Sequence, residues 1–306
     1  MSNQSESSRP FEISEALYPF QSKFMTIEGM RVHYIDEGAG HPIVFCHGNP
    51  SWSLLYAPMI RGLREHFRCI AVDYPGFGMS EKPALDRYGF LPEEHSRVLG
   101  AAVDALIPAG ENFSVFVQDW GGPIGLNMAA DRAERIHKLY IGNTWAWAAD
   151  LSTEEGRGMK AFSDKMGADA MREKILKKNL FVNMSMGQLT HGFKRHSPEL
   201  AQELKAAYLA PFADSEESRM GTAVFPRQIA QSSAWLAALD QKVAAKLEDK
   251  PTLLFWGEQD PLFSGAIREK WEGRLSNSKT VLLPEAAHFF QQDAPEEIVR
   301  AMVEFG

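Results

Sequence analysis

The chain has 306 residues, 44% hydrophobic and 24% charged, a balance that suits a folded globular protein and excludes a largely disordered one. Its net charge of −8 and pI near 5.6 argue against nucleic acid or an anionic membrane as partner, because both need concentrated Lys and Arg. No apolar run reaches the length of a membrane span, and the basic-then-apolar order of a secretory signal is missing, so a cytoplasmic location is the expectation.

Met1 to Pro10 is polar and Ser-rich and reads as a frayed tail. Residues 24–36 alternate as a hairpin does, with Glu28-Gly29 at the turn. Short apolar runs without alternation follow at 43–46, 69–73, 113–118, 138–142, 252–256 and 280–283, each ending near Gly, Asn or Asp. Such runs suit strands buried on both faces, and the intervals between them are long enough for crossover helices, so the fold class is α/β with a mostly parallel sheet flanked by helices. Cys46 and Cys69 lie within two of these runs and read as buried reduced thiols; no Cys/His spacing suggests a metal. Strand runs cease after Asn143, and the chain turns Met-, Ala-, Lys- and Glu-rich with helical spacing. This predicts a helical cap over 143–227 inserted into a core of 1–142 and 228–306.

Four segments carry chemistry. Phe45-Cys46-His47-Gly48-Asn49-Pro50 follows a strand run with a turn whose backbone N–H can face an anion. Val117-Gln118-Asp119-Trp120-Gly121-Gly122 sets a carboxylate at a sharp strand-to-helix turn, where hydrolases of this type present a nucleophile. Phe255-Trp256-Gly257-Glu258-Gln259-Asp260-Pro261 ends a strand with acidic residues, and Glu285-Ala286-Ala287-His288 follows the last strand run. Nucleophile, acid and histidine in this chain order is the order of the α/β-hydrolase triad. The bland readings are an Asp119 that only caps a helix, an Asp260 that only serves a turn, and a Glu258 that replaces Asp260 as the acid. No G-x-S-x-G and no phosphate-cradling G-x-x-x-x-G-K-[ST] occurs, so neither a serine esterase nor a nucleotide cofactor is expected.

With His-Gly-Asn-Pro and Asp-Trp-Gly present together, and Asp73-Tyr74-Pro75-Gly76-Phe77-Gly78 and Tyr208-Leu209-Ala210-Pro211-Phe212 beside them, the chain resembles the haloalkane dehalogenases of the α/β-hydrolase superfamily. The resemblance implies hydrolysis of a small apolar halogenated substrate to alcohol, halide and proton, without cofactor. Asp119 would be the nucleophile that forms an alkyl ester, His288 the base that activates water, and Asp260 its acid. Asn49 and Trp120 would bind halide through their side chains and supply the oxyanion hole through their backbone. One branch of the family carries Glu after the sixth strand; Asn143 stands there, which favours Asp260 and the branch with an Asn-Trp halide pair.

The rival activities are an epoxide hydrolase, which needs cap tyrosines and finds only Tyr208, and a cofactor-independent luciferase-like oxygenase. Trp145, Trp147, Phe162, Met166, Phe181, Met184, Met186 and Phe212 are the apolar cap residues from which a pocket would be built, about a third of them facing it. His47 reads as structural. His33, His41, His66, His95, His137, His191 and His196 read as surface or capping residues.

Overall fold

The computed structural model describes residues 9–188 and 196–306, so the predicted tail at 1–8 and His191 lie outside the described residues. Arg9, assigned to that tail, is tied down: its guanidinium donates to Ser22 Oγ at 3.0 Å and to the Phe20 carbonyl at 2.6 Å.

One sheet orders its strands β1-β2-β4-β3-β5-β6-β7-β8, with β1 Lys23–Ile27, β2 Met30–Glu37, β3 Pro42–Cys46, β4 Arg68–Val72, β5 Phe113–Gln118, β6 Ile136–Gly142, β7 Thr252–Gly257 and β8 Ser278–Leu283. The hairpin β1–β2 joins β4 antiparallel, and every pairing from β4 through β8 is parallel. β3 and β5 are buried throughout, as expected of central strands covered on both faces. β8 has only Leu283 fully buried, because it is the edge strand.

Helices α1 Ala57–Leu63, α2 Pro92–Leu106 and α3 Gly121–Ala130 connect the first four parallel strands, β3 to β6. Pro92 opens α2, where its fixed φ suits a first turn whose N–H groups lack helical partners anyway. Between β6 and β7 come α4 Glu154–Gly167, α5 Asp169–Lys178, α6 Leu180–Gln188, α7 Pro198–Leu209, α8 Met220–Gln231 and α9 Ser233–Lys246. α4, α5 and α6 pack on α8, whereas α9 packs on α3 beside the sheet. The boundary expected at Arg227 falls inside α8, which runs through Pro226 and ends at Gln231. α10 Gly265–Arg274, α11 Phe290–Asp293 and α12 Pro295–Phe305 complete the fold.

Chain order leaves β3 for β4 on one side and returns to β5 on the other, so strand order reverses between β3 and β5. A crevice at the carboxyl ends of strands belongs at such a switch point. Asn49 follows β3 and Asp119 follows β5.

Two histidines assigned to the surface are fully buried. His33 Nδ1 lies 2.8 Å from Asp73 Oδ2, and His95 Nδ1 lies 2.9 Å from the Tyr88 hydroxyl. Burial pushes His95 well down and His47 down to about 4, and it lowers the half-buried His41 to about 4 as well. These groups stay neutral in the fold but take up protons when unfolded, so stability is lost as pH falls from about 6.5 toward about 4. Asp119 and His288, whose pKa values are raised, work in the opposite sense, two groups against these three and Lys82, which burial lowers to about 7. We therefore expect the urea midpoint to be lower near pH 5 than near pH 7, with an unchanged slope. A midpoint that holds level across that interval would contradict the neutral burial of these histidines.

Candidate active site

Asp119 sits at the elbow between β5 and α3 with φ of 51°, a left-handed conformation that costs a non-glycine residue about 1–3 kcal/mol. The surroundings enforce it. Its N–H donates to the Asn143 carbonyl at 3.1 Å, and its own carbonyl accepts from Gly122 N–H at 2.9 Å and from the Thr144 hydroxyl at 2.5 Å. A methyl group at Gly121 would collide with the Cys46 carbonyl, and one at Gly48 with the Asp119 carboxylate, so both glycines serve close approach.

The two carboxylate oxygens differ. Oδ1 accepts from the Asn49 backbone N–H at 2.7 Å, while Oδ2 lies 3.6 Å from His288 Nε2. Burial raises the Asp119 pKa, and His288 together with the backbone N–H groups of Trp120 and Asn49 only partly offsets it. The start of α3 beside the carboxylate also favours the anion.

His288 is fully buried, with its ring stacked on Phe263 at 5.5 Å. Its Nδ1 lies 2.8 Å from Asp260 Oδ2. That oxygen also accepts from Asn143 Nδ2 at 2.7 Å, and Asp260 Oδ1 accepts from Leu262 N–H at 2.7 Å. Burial pushes His288 down, but the Asp260 charge and hydrogen bond, with a smaller contribution from Asp119, outweigh it and the pKa is raised. Glu258 is exposed and lies 3.9 Å from Arg268, and Glu285 is exposed too. Of Glu258, Asp260 and Glu285, Asp260 is thus the one that contacts the imidazole.

Asn49, Asp119 and Trp120 line one cavity of about 390 Å³ together with Trp145, Met159, Phe162, Phe181, Pro226, Ile229, Leu262 and Phe263. Trp120 meets Trp145 edge-on at 4.8 Å. The lining is mostly apolar, as small-molecule sites are, with few polar groups to orient a ligand.

A family model described as alpha/beta hydrolase fold matches residues 41–295. Over 289 residues the chain is 40% identical to haloalkane dehalogenase 2 of Mycobacterium tuberculosis, covering 94% of this chain and 96% of that relative. The chain belongs to the haloalkane dehalogenase family. The fold of this family member is similar to a crystal structure of a mutant of the haloalkane dehalogenase DatA from Agrobacterium tumefaciens C58, with a TM-score of 0.81 at 26% identity. That match covers 95% of this chain and 99% of the other. The chain is also 30% identical over 311 residues to a cis-3-alkyl-4-alkyloxetan-2-one decarboxylase of Shewanella oneidensis, covering 95% and 90%.

Of the eight apolar cap residues, Trp145, Phe162 and Phe181 line the cavity, whereas Met166, Met186 and Phe212 are buried elsewhere, Met184 is half-buried against the cluster that holds Met166, and Trp147 packs on Trp271. His47 is structural: Nδ1 donates to the Gly48 carbonyl at 2.9 Å and Nε2 accepts from Tyr74 N–H at 3.2 Å. Two residues at the site escaped sequence reasoning. Asn143 figured only as a non-acid, yet its amide braces Asp260 and accepts from Gly257 N–H at 2.8 Å. Gln118 places its amide nitrogen 3.0 Å from His288 Nε2. Its position next to the nucleophile, at the buried end of β5, was the available signal.

Proposed function

We propose that this protein hydrolyses haloalkanes to alcohol, halide and proton through an alkyl ester on Asp119. The observation that carries the reading is a buried carboxylate in an apolar cavity, with one oxygen held by a backbone N–H and the other facing a histidine. Oδ1, held by Asn49 N–H, is the less nucleophilic oxygen, so Oδ2 attacks carbon. The C–O bond forms as the C–X bond breaks, and X leaves with the electron pair toward the side-chain N–H groups of Asn49 and Trp120.

Water then donates a proton to His288 Nε2 as its oxygen attacks the Asp119 carboxyl carbon. Negative charge develops on Oδ1, where the Asn49 and Trp120 backbone N–H groups receive it. Collapse frees the alcohol, which takes the proton from His288; the acid formed on Asp119 then loses its own proton to solvent. R–X and water thus give R–OH, halide and a proton. Asp260 balances the imidazolium charge and fixes the ring. Asp260→Asn is expected to slow ester hydrolysis by roughly 10³–10⁴-fold while sparing the initial burst of halide, as rapid quench would show. Equal loss in both steps would contradict this division of labour.

An epoxide substrate would need a hydroxyl donor at its oxygen. Tyr208 is buried against Phe289, accepts from Gln292 Nε2 at 3.2 Å, and does not line the cavity. The decarboxylase relative is a weaker guide than the dehalogenase relative, at 30% identity against 40%. The test is halide release from dibromoethane, bromobutane and iodohexane, beside styrene oxide and a cis-dialkyl β-lactone, with Asp119→Ala as blank. Halide from wild type alone is the expected result. Diol from the epoxide or carbon dioxide from the lactone, without halide, would overturn the reading.

A further inference from the structure

Gln118 is the last residue of β5 and is fully buried. Its amide nitrogen lies 3.0 Å from His288 Nε2 and donates to the His288 carbonyl at 3.1 Å. The amide orientation follows from the second contact: turned over, Oε1 would face a carbonyl oxygen, acceptor against acceptor. The NH₂ group has two hydrogens, one for each neighbour. A donor facing His288 Nε2 requires that nitrogen to be the acceptor, which puts the ring proton on Nδ1, where Asp260 receives it at 2.8 Å.

We propose that Gln118 is a positioning residue whose amide hydrogen bond keeps the resting His288 neutral and holds its single Nε2 lone pair until the attacking water takes the place of the amide hydrogen there in ester hydrolysis. This rests on the dehalogenase reading of the site. The charged groups around the imidazole are all anionic: Asp260 after β7, Asp119 after β5 at 3.6 Å, and Asp293 on α11, which also accepts from Ala287 N–H at 2.8 Å. Phe263 stacks on the ring, and Phe289 lies tilted beside it at 5.4 Å. Three carboxylates favour the imidazolium, which has no lone pair to take a proton from water. A hydrogen bond donated to the neutral form opposes them. Ester formation removes the Asp119 charge at the step where the base is needed, and Gln118 supplies the remaining counterweight against Asp260.

A packing role alone does not explain an amide here. Gln118 Oε1 is buried with no hydrogen-bond partner, an unsatisfied acceptor that accompanies its two donated hydrogen bonds, to the His288 carbonyl and to Nε2.

The first experiment uses wild-type enzyme with nitrogen-labelled histidine, the His288 signals being assigned by their absence in His288→Phe. A proton on Nδ1 and none on Nε2 in the resting enzyme at neutral pH is expected. A proton on Nε2 there would overturn the proposal. The second uses Gln118→Met and Gln118→Glu. The His288 midpoint and the acid limb of ester hydrolysis should both rise by about one pH unit in the first, the scale of one lost hydrogen bond, and further in the second. The rate above that limb and the halide burst should stay within about twofold of wild type, since displacement does not use the base. An unmoved midpoint, or a rate loss equal at every pH, would reduce Gln118 to packing. If Gln118→Met fails to fold, the wild-type spectrum and Gln118→Glu still decide. Absence of halide release from wild type would instead defeat the dehalogenase reading, leaving the spectra to judge the hydrogen bond.

Discussion

His288→Phe is expected to release one equivalent of halide per active site and then stop. Displacement needs only the Asp119 carboxylate and a receptor for the halide, both of which survive the change. Ester hydrolysis loses the group that takes the proton from water, at a cost of roughly 10⁴-fold at the upper range for a positioned general base. Phenylalanine matches the ring volume stacked on Phe263, and Asp260 keeps its donors from Asn143 and Leu262, so the fold should hold. Mass spectrometry of the stalled enzyme should find Asp119 heavier by the alkyl group. Undiminished multiple turnover in this variant would remove His288 from the mechanism.

Asp119→Ala is expected to abolish even that first equivalent, with halide release falling by about 10⁵-fold or more to the solvent background. The pair of variants separates two roles that a simple loss of activity would merge: one removes the attacking atom, the other the base that clears the product of attack. The alanine retains a left-handed φ but removes a buried carboxylate whose pKa burial has raised, so thermal unfolding should change little. A residual burst in Asp119→Ala would place the nucleophile elsewhere.

Much of this architecture was legible because buried parallel strands are read from composition alone. The runs at 43–46, 69–73, 113–118 and 252–256 fall within one or two residues of β3, β4, β5 and β7. β6 and β8 each begin two residues before their runs, at Ile136 and Ser278, because His137 and Lys279 interrupt the apolar pattern. The motif residues also come together: Asn49 N–H on Asp119, Asp119 facing His288, and His288 on Asp260.

What escaped depends on contacts between distant segments. His33 looks like a solvent-facing histidine in a hairpin until β2 pairs with β4 and brings Asp73, forty positions away, against it. Asn143 becomes a brace only when β6 and β7 lie side by side. Helical spacing shows that Phe162 and Met166 share a face, yet only the packing of α4 on α8 sends the first to the cavity and buries the second. Proline removes a helical hydrogen bond, yet Pro226 lies inside α8. α8 absorbs it, and Arg227 donates to the Gly167 carbonyl at the end of α4.

The most direct test of the covalent pathway is a single turnover by wild-type enzyme, in excess over a bromoalkane, in water enriched in heavy oxygen. If Asp119 attacks carbon, the alcohol carries ordinary oxygen from its carboxylate and the heavy label appears on Asp119 itself. Heavy oxygen in the first-formed alcohol, with Asp119 unlabelled, would mean that water attacks the substrate directly and would contradict the alkyl-ester mechanism.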